Sequence, residues 1–207
     1  MTSVALAGWG VRLEPLTKAH AEALQQASAD GEIWKLHYTT APGPDLGSVN
    51  AYIDNALHGQ LKGHFQPYTV VDDDGNVLGS TRFYDIDEAT PTCAIGYTWY
   101  ARRVQRTGLN TEAKLLLLTH AFEMLGCVSV YLETSWFNHA SRTAIARLGA
   151  KQDGVLRNHR RHADGNRRDQ QPVVLSEPAH EEADQNDRGN VQSDQWNRSD
   201  IDCARND

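Results

Sequence analysis

Val104-Gln105-Arg106-Thr107-Gly108-Leu109-Asn110-Thr111-Glu112-Ala113 is a polar loop that opens into the strongest helical pattern of the chain. Upstream, Cys93 to Trp99 alternates with the period of a strand. Cys93, Ile95, Tyr97 and Trp99 fall on one face; the small Ala94, Gly96 and Thr98 fall on the other. Downstream, Thr111 to Leu125 carries Leu115, Leu116, Leu117, Leu118, Phe122 and Leu125, which predicts a deeply buried helix stopped by Gly126. The first four N–H groups of such a helix lack internal partners, and the peptide dipoles make that end positive. Gly108 has no Cβ, so a ligand can reach the main chain. Arg102, Arg103 and Arg106 add positive charge at the same end. The arrangement suits a pyrophosphate. It lacks the lysine of a P-loop and the three glycines of a dinucleotide fingerprint. A lone glycine before a helix is also compatible with an ordinary loop.

Working outward, Val11 to Leu16 reads as a strand, and Thr17 as the cap of a helix to about Ser28. After the Ala41-Pro42-Gly43-Pro44 loop, Ser48 is placed to cap a second helix, with Val49, Tyr52, Ile53, Ala56 and Leu57 as its apolar stripe. Phe65–Val71 and Val77–Ile86 form a hairpin around Asp72 to Asn76, where Asp-Gly signals the turn. Cys127–Thr134 is a further strand, Asn138 starts a helix ending at Gly149, and Gly154–Arg161 with Arg168–Ser176 suggests a hairpin around Asp164-Gly165. The order β-α-α-β-β-β-α-β-α-β-β predicts an α/β (α+β) fold, a mixed sheet with helices on both faces. It excludes a doubly wound chain or a TIM barrel, because most strands follow one another without a helix.

The chain has 207 residues and a formal charge of −7. Glu177 to Asp207 holds nine acidic residues and three arginines, a net of −6. The preceding 176 residues carry 18 acidic and 17 basic groups, so the body is almost neutral. We therefore expect one folded domain over 1–176 and an acidic, disordered tail over 177–207. A neutral body argues against a broad nucleic-acid-binding face. The longest aliphatic run, Leu115 to Leu118, is far too short for a membrane span. Met1 to Trp9 has no basic start and is not expected to be a secretory signal. Cys93, Cys127 and Cys203 form no metal-binding pair and no disulfide framework, which fits a reducing cytoplasm. No metal site is read.

Asn138 and Ser141 share one helix face at i and i+3, and Ile145 and Leu148 continue that stripe. The polar pair thus heads the inward face. Asn138 can equally be a plain N-cap, with Ser141 an ordinary first-turn residue.

The runs IGYTWYARRVQRTGLNTEAKLLLLTHAFE (residues 95–123) and VYLETSWFNHASRTAIARLGAKQDGVLR (130–157) resemble the GNAT N-acetyltransferase superfamily, and within it the RimJ/RimL-like branch. The resemblance extends over roughly Val11 to Val174. It implies a mostly antiparallel, twisted sheet splayed between its fourth and fifth strands. The superfamily motif Q/R-x-x-G-x-G/A reads here Gln105-Arg106-Thr107-Gly108-Leu109-Asn110, with Asn110 in place of the last small residue. By resemblance, this loop and Thr111 hold the pyrophosphate of acetyl-CoA. Thr98, Trp99 and Tyr100 lie along the pantetheine, Asn138 bonds it, and Ser141 sits near the sulfur. Relatives close with an aromatic-acidic segment and a short helix, whereas Pro172–Ser176 here runs into Glu177-Pro178. That departure implies a weakened last strand pair or an exposed edge.

The implied reaction is attack of a primary amine, on a protein N-terminus or a small molecule, on a thioester carbonyl. It needs a neutral amine, donors for the oxyanion and a proton for the leaving thiolate. Backbone N–H groups near Trp99 and Tyr100 would serve the oxyanion, and Ser141 would be the acid. For the base the candidates are Asp85, Asp87, Glu133 and His37. Asp85 ranks first because it shares a strand face with Phe83 and Thr81, which predicts that it points inward. Trp34, Tyr38 and Tyr84 are candidates to line the acceptor pocket, while His159 and His162 read as surface residues. A homodimer is a possible assembly. The alternative is a catalytically silent acetyl-CoA-binding or partner-binding domain of the same fold.

Overall fold

A computed structural model describes residues 3–8, 10–36, 38–156 and the strand 172–178. Among the described residues eight strands form one sheet: β1 (Leu6–Gly8), β2 (Val11–Pro15), β3 (Phe65–Asp72), β4 (Val77–Asp87), β5 (Thr92–Tyr100), β6 (Ser129–Ser135), β7 (Lys151–Val155) and β8 (Pro172–Pro178). Their spatial order is β1-β2-β3-β4-β5-β6-β8-β7. Every adjacent pair is antiparallel except β5 and β6, which run parallel. The described residues also form four α-helices, α1 (Ala21–Ala29), α2 (Leu46–Leu61), α3 (Leu109–Thr119) and α4 (His139–Ala146).

Helices cover both faces. Leu24, Ala27, Val49, Ile53 and Ala56 bring α1 and α2 into one core cluster with Trp99 and Ala101. Leu109, Ala113, Leu116, Leu117 and Leu118 of α3, with Ile145 of α4 and Leu148 just past its end, form the other with Phe83, Cys93 and Ile95. Burying one Leu or Ile side chain contributes about 1.5–3 kcal/mol, so these two faces hold the sheet between the helix layers. None of the described helices is long and apolar enough to cross a membrane.

The structure corrects several local expectations. A short β1 precedes the first expected strand. Thr17 caps a single 3₁₀ turn, Lys18–His20, and α1 follows from Ala21. Helix α2 is capped by Asp45, whose Oδ1 accepts from Ser48 N at 2.8 Å and Oδ2 from Ser48 Oγ at 2.6 Å. Ser48 is therefore a first-turn residue, because the carboxylate three positions earlier takes its amide. Helix α3 starts two residues early at Leu109 and passes into a π-turn, His120–Met124, before Gly126 reverses the chain at φ +65°.

The last hairpin is formed by β7 and β8, with β7 beginning at Lys151 rather than Gly154. Its expected tip, with His159 and His162, lies outside the described residues, as do residues 179–207. β8 is hydrogen-bonded on both sides, against β6 over seven registered residues and against β7.

The largest correction is in β5. Arg82 faces Gly96 and Ser80 faces Trp99 across the β4–β5 ladder, so two residues, Tyr97 and Thr98, stand against Thr81 alone. Tyr97 takes φ +52°. This bulge breaks the period of two. Cys93 and Ile95 pack toward α3, but Trp99 packs with α1 and α2, and the single bulky face expected from the sequence is split.

Candidate active site

β5 and β6 pair only through Thr92, Cys93 and Ala94. From Ile95 onward, among the described residues, the edge of β5 that faces β6 carries no strand partner. The fourth and fifth strands of the sequence reading thus splay, leaving backbone donors and acceptors that an extended chain can pair with. At the open end two buried side-chain groups, Trp99 Nε1 and Tyr100 OH, have no hydrogen-bond partner among the described residues. Burial raises the Tyr100 phenol well above its ordinary pKa and keeps it a neutral donor. The unpaired backbone of this edge fits a pantetheine arm, whose amides supply donors and acceptors to it as an added strand does.

Next comes the loop into α3. Glu112 N donates to Gly108 O, the first helical bond. Leu109 N donates to Thr107 Oγ1 at 3.3 Å, while the Thr107 hydroxyl donates to Val104 O at 2.7 Å. Thr107 therefore uses one of the four expected amides, leaving those of Gly108, Asn110 and Thr111 at the positive end of the helix. Gly108 sits at φ −64°, so its conformation does not require glycine. The left-handed residue of this loop is Arg106, at φ +61°. A Cβ at Gly108 would meet only the Glu112 carboxylate, at 3.2 Å. Close approach of a ligand is then the remaining physical reason for a glycine there.

The three arginines divide. Arg103 is committed to structure: Nη1 and its backbone N–H reach Asp30 Oδ2 at 3.1 and 3.2 Å, and Nη2 donates to Val77 O at 3.2 Å. Arg102 and Arg106 are exposed beside the loop. Gln105 Nε2 donates to Tyr100 O at 3.0 Å, tying the loop to the end of β5 and occupying that carbonyl.

Across the splay, Asn138 caps α4, its Oδ1 accepting from Ser141 N at 3.1 Å. The plain capping role is real, and it fixes the Asn138 amide with Nδ2 unengaged among the described residues. Ser141 is half-buried in the first turn of the same helix, ahead of the buried Ile145.

The base candidates separate by position. Asp85 does not point inward. It is exposed at φ +47°, within the irregular stretch of β4 between Tyr84 and Asp87 where the alternation fails. Asp87 Oδ1 accepts from Ala89 N and Thr90 N at 2.8 and 3.2 Å and so shapes the β4–β5 turn. Glu133 is half-buried on β6, and His37 lies outside the described residues. Of the expected pocket aromatics, Tyr38 is exposed, Trp34 is half-buried, and Tyr84 is buried edge-on to Tyr97 at 5.3 Å between centroids.

Two buried cations escaped the sequence reading. Lys114, in the second turn of α3, is 5% exposed, and its Nζ donates to Thr98 Oγ1 at 2.9 Å. Desolvation without a carboxylate lowers its pKa to about 7. Arg82, in β4 beside the bulge, is buried among aromatic rings. For Lys114 the signal was a lone base ahead of four leucines, and Arg82, between Thr81 and Phe83, carried none.

Residues 11–151 match the family model of the acetyltransferase (GNAT) domain. A T. thermophilus protein assigned to the acetyltransferases is 29% identical, with 86% of this chain and 90% of that one covered, at a TM-score of 0.74. A GCN5-related N-acetyltransferase from Brucella melitensis is 24% identical over 86% and 80% of the two chains, TM-score 0.76. Mycobacterium smegmatis RimJ, solved in complex with CoA-disulfide, shares the fold at 19% identity over 82% of each chain, TM-score 0.69. Among curated proteins none matches the chain.

Proposed function

We propose that this chain, which belongs to the acetyltransferase (GNAT) domain family, moves the acetyl group of acetyl-CoA onto a primary amine, on a protein N-terminus or a small molecule. The observation that carries this reading is the splay. A strand edge opens at Ile95, beside the amide-rich start of α3, and the two together suit a pantetheine and its pyrophosphate. The fold shared with RimJ supports a RimJ/RimL-like acceptor class.

The amides of Gly108, Asn110 and Thr111, with Gln105, Arg106, Thr107 and Leu109 shaping the loop, bind the pyrophosphate. Thr98, Trp99 and Tyr100 lie along the pantetheine, and Asn138 bonds it through Nδ2. The free amine attacks the thioester carbonyl, the N–C bond forms and the C–S bond breaks. Backbone N–H groups at the end of β5 receive the oxyanion. Ser141 passes its hydroxyl proton to the departing sulfur and regains one from solvent.

The acceptor decides how much base is needed. A lysine-like amine of pKa ~10.4 is about 0.04% neutral at pH 7, a cost of about 4.6 kcal/mol. A protein α-amine of pKa ~7.7–8.0 costs only about 1–1.5 kcal/mol. An exposed Asp85 suits the second case, as the solvent end of a water relay that removes the amine proton.

The test joins calorimetry of coenzyme A with a thiol-release screen over peptides with free α-amines, polyamines and aminoglycosides. Binding with release on one class supports the transferase. Binding with no release across the panel favours the silent cofactor-binding domain, and no binding to the folded protein removes both.

A further inference from the structure

Arg82 is the largest fully buried side chain among the described residues, 1% exposed. Its guanidinium carbon lies 4.2 Å from the ring centre of Tyr97, 4.8 Å from that of Phe65 and 5.1 Å from that of Tyr52. No acidic residue pairs with it among the described residues, and its Nε and Nη1 have no hydrogen-bond partner there. An arginine cannot shed its proton to escape this situation. Ring faces attract the charge, but they supply no oxygen acceptor for the N–H edge of the guanidinium. The site is therefore short of one anionic acceptor.

Position says what that acceptor serves. Arg82 stands opposite Gly96, next to the bulge at Tyr97 and Thr98. Through Tyr52, which is edge-on to Trp99 at 6.2 Å, it belongs to the α2 face of the sheet. The pyrophosphate-binding start of α3 lies on the opposite face. The second substrate must reach the thioester from the side that coenzyme A does not occupy. Phe65, one wall of the Arg82 cage, also lines a cavity of about 180 Å³ with Gln60, Gln66, Ile86 and Glu88, where β3 begins and β4 ends.

We propose that Arg82 anchors a carboxylate of the acceptor, so that the substrate is a primary amine carrying an acidic group. This assignment rests on the acetyl-transfer reading above. The carboxylate accepts from the guanidinium edge while the three rings hold that edge in place, and the amine at the other end of the molecule meets the bulge.

The experiment measures thiol release at saturating acetyl-CoA with matched acceptors: glycine against glycinamide, γ-aminobutyrate against its amide, and seryl-glutamate amide against seryl-glutamine amide. In the wild-type protein kcat/KM is expected to be about 10- to 100-fold higher for the acidic member of at least one pair. Arg82→Gln removes that ratio, and Arg82→Lys retains part of it, with coenzyme A binding by calorimetry unchanged in both. Release without discrimination in any wild-type pair, or a ratio that survives in Arg82→Gln, overturns the assignment and leaves acetyl transfer standing. Coenzyme A binding without release from any pair overturns the assignment together with acetyl transfer to such amines, and absent binding removes the family reading on which it rests. If Arg82→Gln does not fold, the wild-type ratios and Arg82→Lys decide.

Discussion

Lys114 Nζ lies 2.9 Å from Thr98 Oγ1, and that hydroxyl lies 2.8 Å from Thr81 Oγ1. One short chain of hydrogen bonds joins the second turn of the pyrophosphate-binding helix to the bulged end of β5 and on to β4. The two ends of the proposed cofactor site are held at a fixed distance by a cation that has no counter-ion among the described residues.

That burial has a pH signature. Lys114 titrates at about 7 in the folded chain and near its ordinary 10.5 when unfolded. Between these values the unfolded state binds more protons, so stability rises with pH across this window and is lost as pH falls toward 7. Lys114→Met is expected to flatten that rise and to stabilise the protein by about 2–4 kcal/mol at pH 7. Freed from its clamp, Thr98 no longer fixes the strand, and turnover falls. Denaturant melts at pH 7 and pH 9.5 check the first effect, and steady-state rates the second. A variant that is less stable at pH 7 would contradict the buried-ammonium account.

Gly108→Ala separates folding from binding. Its φ of −64° suits alanine, and the added methyl meets only a flexible carboxylate. Stability is expected to change by no more than about 1 kcal/mol. Affinity for coenzyme A is expected to drop about tenfold or more, because a methyl group stands where the phosphate meets the backbone. Melting curves and calorimetry on the same sample measure both. Unchanged affinity would place the pyrophosphate elsewhere.

Ser141→Ala keeps the Asn138 cap, since the cap uses the Ser141 backbone amide. Binding of acetyl-CoA should therefore persist while kcat falls about 10²-fold, the usual scale for losing a general acid. The pH–rate profile discriminates: full turnover with an unaltered profile would remove Ser141 as the acid.

Gly79, unlike Gly108, meets a structural demand. A Cβ there would run into the carbonyl oxygen of Trp99 across the β4–β5 ladder. Gly79→Ala is expected to destabilise by about 1–3 kcal/mol, since backbone must move. It should also weaken coenzyme A binding, because the displaced segment is the open end of β5. Thermal melts with and without coenzyme A report the two losses separately.

Much of this architecture was legible from residue order. Period-two and period-3.6 patterns place the strands and helices, Asp72 to Asn76 marks the hairpin, and Gly126 and Gly149 mark helix ends, both with positive φ. The cap at Asn138 and the polar loop ahead of a leucine-rich helix were also readable. Each is a local signal, set by side-chain spacing and the backbone limits of a few adjacent residues.

Tertiary structure alone decided the rest. Tyr97 and Asp85 adopt left-handed φ values that neither residue prefers, and strand pairing is what imposes them. The bulge then turns Trp99 to the α2 face, and the irregularity at the end of β4 leaves Asp85 in solvent, against the alternation that the sequence showed. Lys114 and Arg82 looked like ordinary polar residues among apolar ones, and only packing revealed that each is buried with no acid partner among the described residues. Burial and hydrogen-bond satisfaction depend on what the far parts of the chain bring to a side chain. Periodicity records which way a residue faces in a regular element, and a site is made where that regularity breaks.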